Sequence, residues 1–207
     1  LIMAENGVAG RAVEHLLGML YPGGTADLSF AEMESALERS TPGASGLIFL
    51  PWLGGSMSPS ANPAMRGGLI NMSLTTQRED MFRAAVEGTA FNLAWLAPAV
   101  NALSGKTPDR IVFGGGAARS AGWAQVLADI LNTPVSVLDR PELGAATAVG
   151  TVALRRTAGE DPLETDLRLG RTHLPDPSTR GPYARIQSQF EAAFESTRPI
   201  CEALGHE

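Results

Sequence analysis

The chain has a single cysteine, Cys201, among 207 residues, which excludes an internal disulfide and any cysteine-based metal cluster and suits a reducing cytoplasm. Histidine is nearly as scarce. His15, His173 and His206 lie far apart without the spacing of a ligand set, and read as surface or packing residues. Basic runs are missing too: with a net charge of −6 and no Lys/Arg cluster, a nucleic-acid or anionic-membrane partner has no electrostatic footprint here. No apolar run approaches the length of a membrane span, and the first residues do not make a signal peptide. Asn71-Met72-Ser73 is therefore read as a chance sequon.

What is present is a 44% hydrophobic chain, enough to bury a core as one large domain or one domain with a tail. Its first residues pass almost directly into a helical pattern, which predicts a piece of a longer protein. Ala9, Ala12, Val13, Leu16, Leu17 and Leu20 share one helical face, stopped by Pro22-Gly23-Gly24. A second helix, Phe30 to Glu38, turns Phe30, Met33 and Leu37 inward, with Ser29 as cap and Glu32 completing a capping box. Gly46 to Leu50 is a continuous apolar run, hence a strand buried on both faces. Pro51 to Gly68 is Pro-, Gly- and Ser-rich, a long loop of the kind that tends to be functional.

Leu69 to Leu74 reads as a strand, and Thr76 with Glu79 as a capping box that opens the longest helix, Gln77 to about Leu103. Its predicted stripe is Phe82, Val86, Ala90, Leu93 and Ala97; Pro98 should kink or shorten it, and Gly105 is its C-cap. Later, Asp139 and Glu142 with Pro141 predict a further capped helix start. The small residues from Gly144 to Ala153 predict a helix that approaches its neighbour closely. Residues 157–180 show no hydrophobic period and read as an extended surface segment, followed by an amphipathic helix from about Tyr183 to Leu204.

Everything else is arranged around Arg110 to Asp139. Ile111-Val112-Phe113 is a short buried strand, stopped by Gly114-Gly115-Gly116. From Ser120 the apolar positions Trp123, Val126, Leu127, Ile130 and Leu131 fall on one helix face, and Pro134 precedes a second strand, Val135 to Leu138. A glycine turn without Cβ atoms lets a phosphate approach, and the N–H groups of the following helix start are expected to point at it. Glycines that only make a tight turn would give the same pattern. Strands alternating with helices indicate an α/β domain with a mostly parallel sheet, its ligand at the carboxyl ends of the strands.

Three motifs compete for this turn. Gly105-Lys106-Thr107 supplies only the second half of a P-loop, whose first glycine would fall on Val100 inside a helix. Gly114 and Gly116 fit a dinucleotide fingerprint, with Asp139 placed to meet a ribose, but its third glycine is Arg119. The third reading is a resemblance, carried by GLIFLPWLGGSMSPSANPAMRGG, by Arg83-Ala84-Ala85-Val86-Glu87-Gly88, by RIVFGGGAARSAGWAQVLADIL with Ala128-Asp129, and by ELGAATAVGTVAL. In this order they resemble the carboxyl-terminal domain of the FGGY carbohydrate kinases and span nearly the whole chain.

The resemblance implies an actin-like, ribonuclease-H-like ATPase domain, a mixed and mostly parallel sheet flanked by helices. It divides the chain into a nucleotide-binding domain, residues 1–156, and an extended segment with a final helix, 157–207, packed on it. ATP with Mg2+ is the implied cofactor, held between two domains, and the sugar is held mainly by the other domain. Gly115 and Gly116 would lie against the phosphates with Ala117 beside them, and Ser120 near the adenine. Gly10 matches a backbone contact, and Glu14 stands where glutamine is frequent; its carboxylate disfavours a phosphate contact and leaves ribose or base. Ser56-Met57 departs from the Glu-Arg of many members. The catalytic aspartate precedes the matched region, so no residue here is assigned to catalysis or to a metal. Asp80, Glu87, Asp129 and Glu142 read as structural acids. Two other classes stay open: an NAD-binding domain, and an actin-like assembly module whose outer helices form a homodimer.

Overall fold

The computed structural model describes residues 9–20, 30–159, 161 and 167–205. Six α-helices and five strands follow in chain order among these residues: α1 (Ala9–Leu20), α2 (Phe30–Arg39), β1 (Ile48–Leu50), β2 (Gly68–Ile70), α3 (Arg78–Ser104), β3 (Ile111–Phe113), α4 (Ala121–Leu131), β4 (Val135–Leu138), α5 (Gly144–Ala158), β5 (Leu169–His173) and α6 (Arg180–Leu204). The predicted cap Ser29, the glycine stop after α1 and the Phe30 side chain lie outside what is described.

β1 is buried at every position because it serves two cores. Phe49 joins Val13, Leu17, Leu37, Val86 and Leu127 on one side. Ile48 and Leu50, pointing the other way as strand alternation requires, join Trp52, Phe91, Ile186, Phe190 and Phe194. In that second core the rings meet edge-on or tilted, with Trp52 4.8 Å from Phe194 and 5.2 Å from Phe190 between centroids.

α3 runs between the two cores, so the stripe predicted for it is too narrow. From Phe82 to Asn92 every residue is buried, including Arg83 and Glu87, while Leu93 and Ala97 are only half-buried. Small residues make this possible: a Cβ on Gly88 would stand 2.2 Å from the Phe49 carbonyl oxygen. The helix continues through Pro98 to Ser104 and ends at Gly105, in the left-handed conformation at φ +67°. Its cap is shifted by one from the expected pair. Asp80 accepts the Gln77 N–H at 3.0 Å, whereas Glu79 pairs with Arg39 and Thr76 accepts from the Ser73 N–H.

The sheet is less parallel than the strand–helix alternation suggested. β3 and β4 are parallel, but β4 and β5 are antiparallel, and β1 and β2 form a separate antiparallel pair. β2 is shorter than predicted because Asn71, at φ +69°, turns the chain away. β5 lies inside the segment expected to have no regular structure. It is an edge strand of polar residues, buried only at His173 and joined to β4 by a Ser136–Thr172 hydroxyl contact of 2.7 Å. Before α5, Asp139 caps nothing: its N–H bonds the Arg168 carbonyl, and Pro141–Leu143 form a 3-10 turn instead. α5 has no buried residue, and among its described glycines the close approach expected from its small side chains is made at Gly144, where a Cβ would stand 2.8 Å from Leu138 Cδ1, and not at Gly150.

The long loop after β1 is tied down. Trp52 Nε1 donates to Asn92 Oδ1 at 3.2 Å, and Asn92 Nδ2 donates to the Ser58 carbonyl at 3.3 Å. Ser56 and Asn62 exchange backbone bonds across the loop, and a Cβ on Gly67 would stand 2.1 Å from the Leu50 carbonyl oxygen. Asn92→Ala leaves the buried indole N–H without an acceptor and releases Ser58. Its expected cost is about 1–3 kcal/mol in urea unfolding.

Candidate nucleotide site

The glycine turn leaves β3 at the carboxyl end of the parallel pair. Gly114 packs against Leu138, whose Cδ1 a Cβ there would meet at 2.8 Å, so a larger residue requires that side chain to move. Gly115 adopts φ +92°, which an L side chain tolerates poorly, and its N–H bonds the Pro141 carbonyl at 2.7 Å. That bond ties the turn to the segment after β4. Gly116 to Arg119 then form a single 3-10 turn, closed by Ala118 N–H to Gly115 and Ser120 N–H to Ala117.

The N–H groups of Gly116 and Ala117 begin that turn and have no partner among the described residues. Gly114, Gly115 and Gly116 are exposed, and a Cβ on Gly116 would meet nothing within 4 Å. The turn therefore presents open space backed by free donors, the arrangement an anion requires. A cavity of about 410 Å3 opens beside it, lined in part by Arg119, Glu142, Arg171 and His173. A larger cavity, about 830 Å3 between β1, β2 and α6, is lined by none of the residues singled out for nucleotide binding.

The start of α4 is a different matter, and here the sequence reading needs correction. Ser120 is its N-cap, accepting the Trp123 N–H at 3.0 Å, and is 1% exposed. The Gly122 N–H is taken by Glu34 of α2 at 2.8 Å. Two of the helix-start donors expected to face a phosphate, the N–H groups of Gly122 and Trp123, are thus already occupied by the protein, and the donors at Gly116 and Ala117 lie one turn earlier. Glu34 carried no local signal, because its partner is 88 residues away.

Of the predicted residues, Gly115 and Gly116 are exposed and Ala117 half-buried on one turn, whereas Ser120 at its end is buried as the α4 cap. Gly10 and Glu14 sit on the exposed side of α1, and no hydrogen bond among the described residues joins them to the turn. The acids read as structural are so placed. Asp129 accepts from Gln125 Nε2 and from the Asp176 N–H, each at 2.8 Å, and burial raises its pKa above the ordinary aspartate value. Glu87 Oε1 takes the Gly43 N–H and the Tyr183 hydroxyl at 3.0 Å and Arg83 at 3.3 Å. Glu142 is exposed on the 3-10 turn before α5. Arg66 donates to the carbonyls of Pro63 and Met65, closing the loop.

Residues 3–158 match the FGGY family of carbohydrate kinases, C-terminal domain. The chain is 32% identical over 156 residues to a gluconokinase of Bacillus licheniformis, covering 74% of this chain and 30% of that protein. It is 36% identical over 179 residues to a xylulose kinase of Bacillus subtilis, covering 85% and 36% respectively. Among solved structures, xylulose kinase from Rhodospirillum rubrum superposes with a TM-score of 0.74 at 28% identity, covering 93% of this chain and 38% of that one. The chain belongs to the FGGY family of carbohydrate kinases, matching its carboxyl-terminal domain. It spans about a third of the length of the curated relatives it matches.

Proposed function

We propose that the chain is the nucleotide-binding part of an ATP-dependent carbohydrate kinase that acts in the cytoplasm on a xylulose-like pentulose. The observation that carries this reading is the exposed glycine turn with free N–H groups at Gly116 and Ala117. ATP supplies the phosphoryl group, and magnesium bound to its phosphates offsets their charge; among the described residues no group of three His, Cys, Asp or Glu is placed to hold a metal ion.

In this reading Gly115 shapes the turn, Gly116 and Ala117 donate to the phosphates, and Ser120 fixes the turn against α4 beside the adenine. Gly10 and Glu14 complete the nucleotide contacts from α1 when an amino-terminal domain closes over the cleft. That domain carries the sugar site and the base that accepts the hydroxyl proton, and closure excludes water from the transfer. The outward face of α5 leaves Ala145, Val149 and Val152 exposed, a surface open to that domain or to a second copy of the chain. The xylulose kinase relative at 36% identity, which matches over more of the chain than the gluconokinase at 32%, supports this choice of sugar.

Gly116→Val tests the site, because a Cβ there has no protein atom within 4 Å and the side chain is added in front of the donors. Calorimetry should detect ADP and ATP, with magnesium, binding weakly to the chain, with at least a tenfold loss in Gly116→Val and unchanged unfolding. No kinase turnover is expected from the chain alone. Binding of NAD in place of adenine nucleotides, or equal affinity in the variant, would sink the reading.

A further inference from the structure

We infer that Glu34 is a specificity-determining residue of the nucleotide site, a fixed negative charge on the front of α4 that favours the magnesium-bound nucleotide over the free anion. The inference rests on the nucleotide reading above. Its basis is the carboxylate that reaches across from α2 to the Gly122 N–H at 2.8 Å, filling a position an incoming anion could otherwise use. Gly122 admits it: a Cβ there would stand 3.1 Å from Glu34 Oε2 and 2.6 Å from Leu37 Cδ1.

The other carboxylate oxygen, Oε1, is buried with no hydrogen-bond partner, and Glu34 makes no ion pair among the described residues. Its carboxylate caps the helix end and also acts electrostatically on His173. From Gly116 to Gly122 the chain runs through a 3-10 turn and into a helix, so the carboxylate lies within roughly 10–15 Å of the free donors at Gly116 and Ala117. At that range the field is felt in proportion to the ligand's net charge and is removed by salt. A free nucleoside diphosphate carries more charge than its magnesium complex, and a nucleoside carries none. The glycine turn supplies affinity for phosphate, and Glu34 sets which charge state of it is accepted.

The test is calorimetry of wild type and Glu34→Gln with adenosine, ADP in chelator and MgADP, at low and high ionic strength. Glutamine keeps the acceptor for the Gly122 N–H and removes the charge. The expected result at low salt is a three- to tenfold tightening of free ADP, about twofold of MgADP and none of adenosine, with the gains erased near 0.5 M salt. An equal change for adenosine would mean that Glu34 acts only through the shape of α4, and would overturn the inference, as would unchanged or weaker ADP binding in the variant. Loss restricted to Glu34→Gln leaves the nucleotide reading intact. Failure of wild type to bind ADP in either form removes both.

Discussion

Gly88→Ala is expected to destabilise the protein by about 3 kcal/mol or more, an effect far larger than one methyl group implies. The reason is the partner it meets. The added Cβ would lie 2.2 Å from the carbonyl oxygen of Phe49, and a strand carbonyl cannot rotate away as a flexible side chain can. Either α3 or β1 must shift, and both cores are packed on β1. Gly150→Ala makes the proper control: in α5 the Cβ meets nothing within 4 Å, so the helix propensity of alanine should add about 0.5–1 kcal/mol. Urea unfolding of the two variants should therefore move the midpoint in opposite directions. Equal midpoints would mean that α3 and β1 are not in the contact described.

Glu87 gives the second large effect, as a dependence on pH. Burial pushes its carboxyl up to about 7, only partly opposed by the Gly43 N–H, the Arg83 guanidinium and the Tyr183 hydroxyl. The unfolded chain has the ordinary value, 4.5. The folded state therefore favours the protonated form. The resulting stabilisation is complete below about pH 4.5 and is lost as pH rises through about 7, amounting to about 3 kcal/mol at most.

His173 works in the opposite direction, since burial lowers its pKa and stability falls as it is forced to protonate in acid. The informative quantity is thus the difference between wild type and Glu87→Gln across pH 4.5 to 8. Wild type should lose stability relative to the variant as pH rises, and parallel curves would show that Glu87 keeps one protonation state throughout. Glu87→Ala, by contrast, leaves Arg83 buried without its carboxylate and should cost about 3–5 kcal/mol at neutral pH.

Local chemistry explains how far the sequence could be read. β1, the glycine turn and the faces of α1, α4 and α6 were legible because each is encoded by neighbouring residues: an apolar run, three glycines, a 3.6-residue period. β5 was not, since Leu169 to His173 is a polar edge strand held by pairing with β4 and a hydroxyl contact, neither of which leaves a period. The burial of α3 on every side was masked by Arg83 and Glu87, which look like surface residues until α6 brings Tyr183 to them.

At the candidate site, Gly115 and Gly116 were legible as a glycine turn after a strand, and Ser120 as the beginning of a helix. The occupant of that helix start was not. Thr76 and Glu79 show the related limit for caps: the spacing is right, but Gln77 and Asp80 fit the same spacing one residue on, and only the packing of Asp80 against Ser45 separates the two registers.

The three residues of β1 have a consequence for how the molecule comes apart. Phe49 belongs to one core, and Ile48 and Leu50 to the other, so neither compartment has a wall of its own. Melting the aromatic layer under α6 would strip one face of the strand, and melting the α1–α2–α4 layer would strip the other. Residues 9–20, 30–143 and α6 thus form a single cooperative unit of unfolding, in which no stable intermediate can keep one half intact while the other is lost.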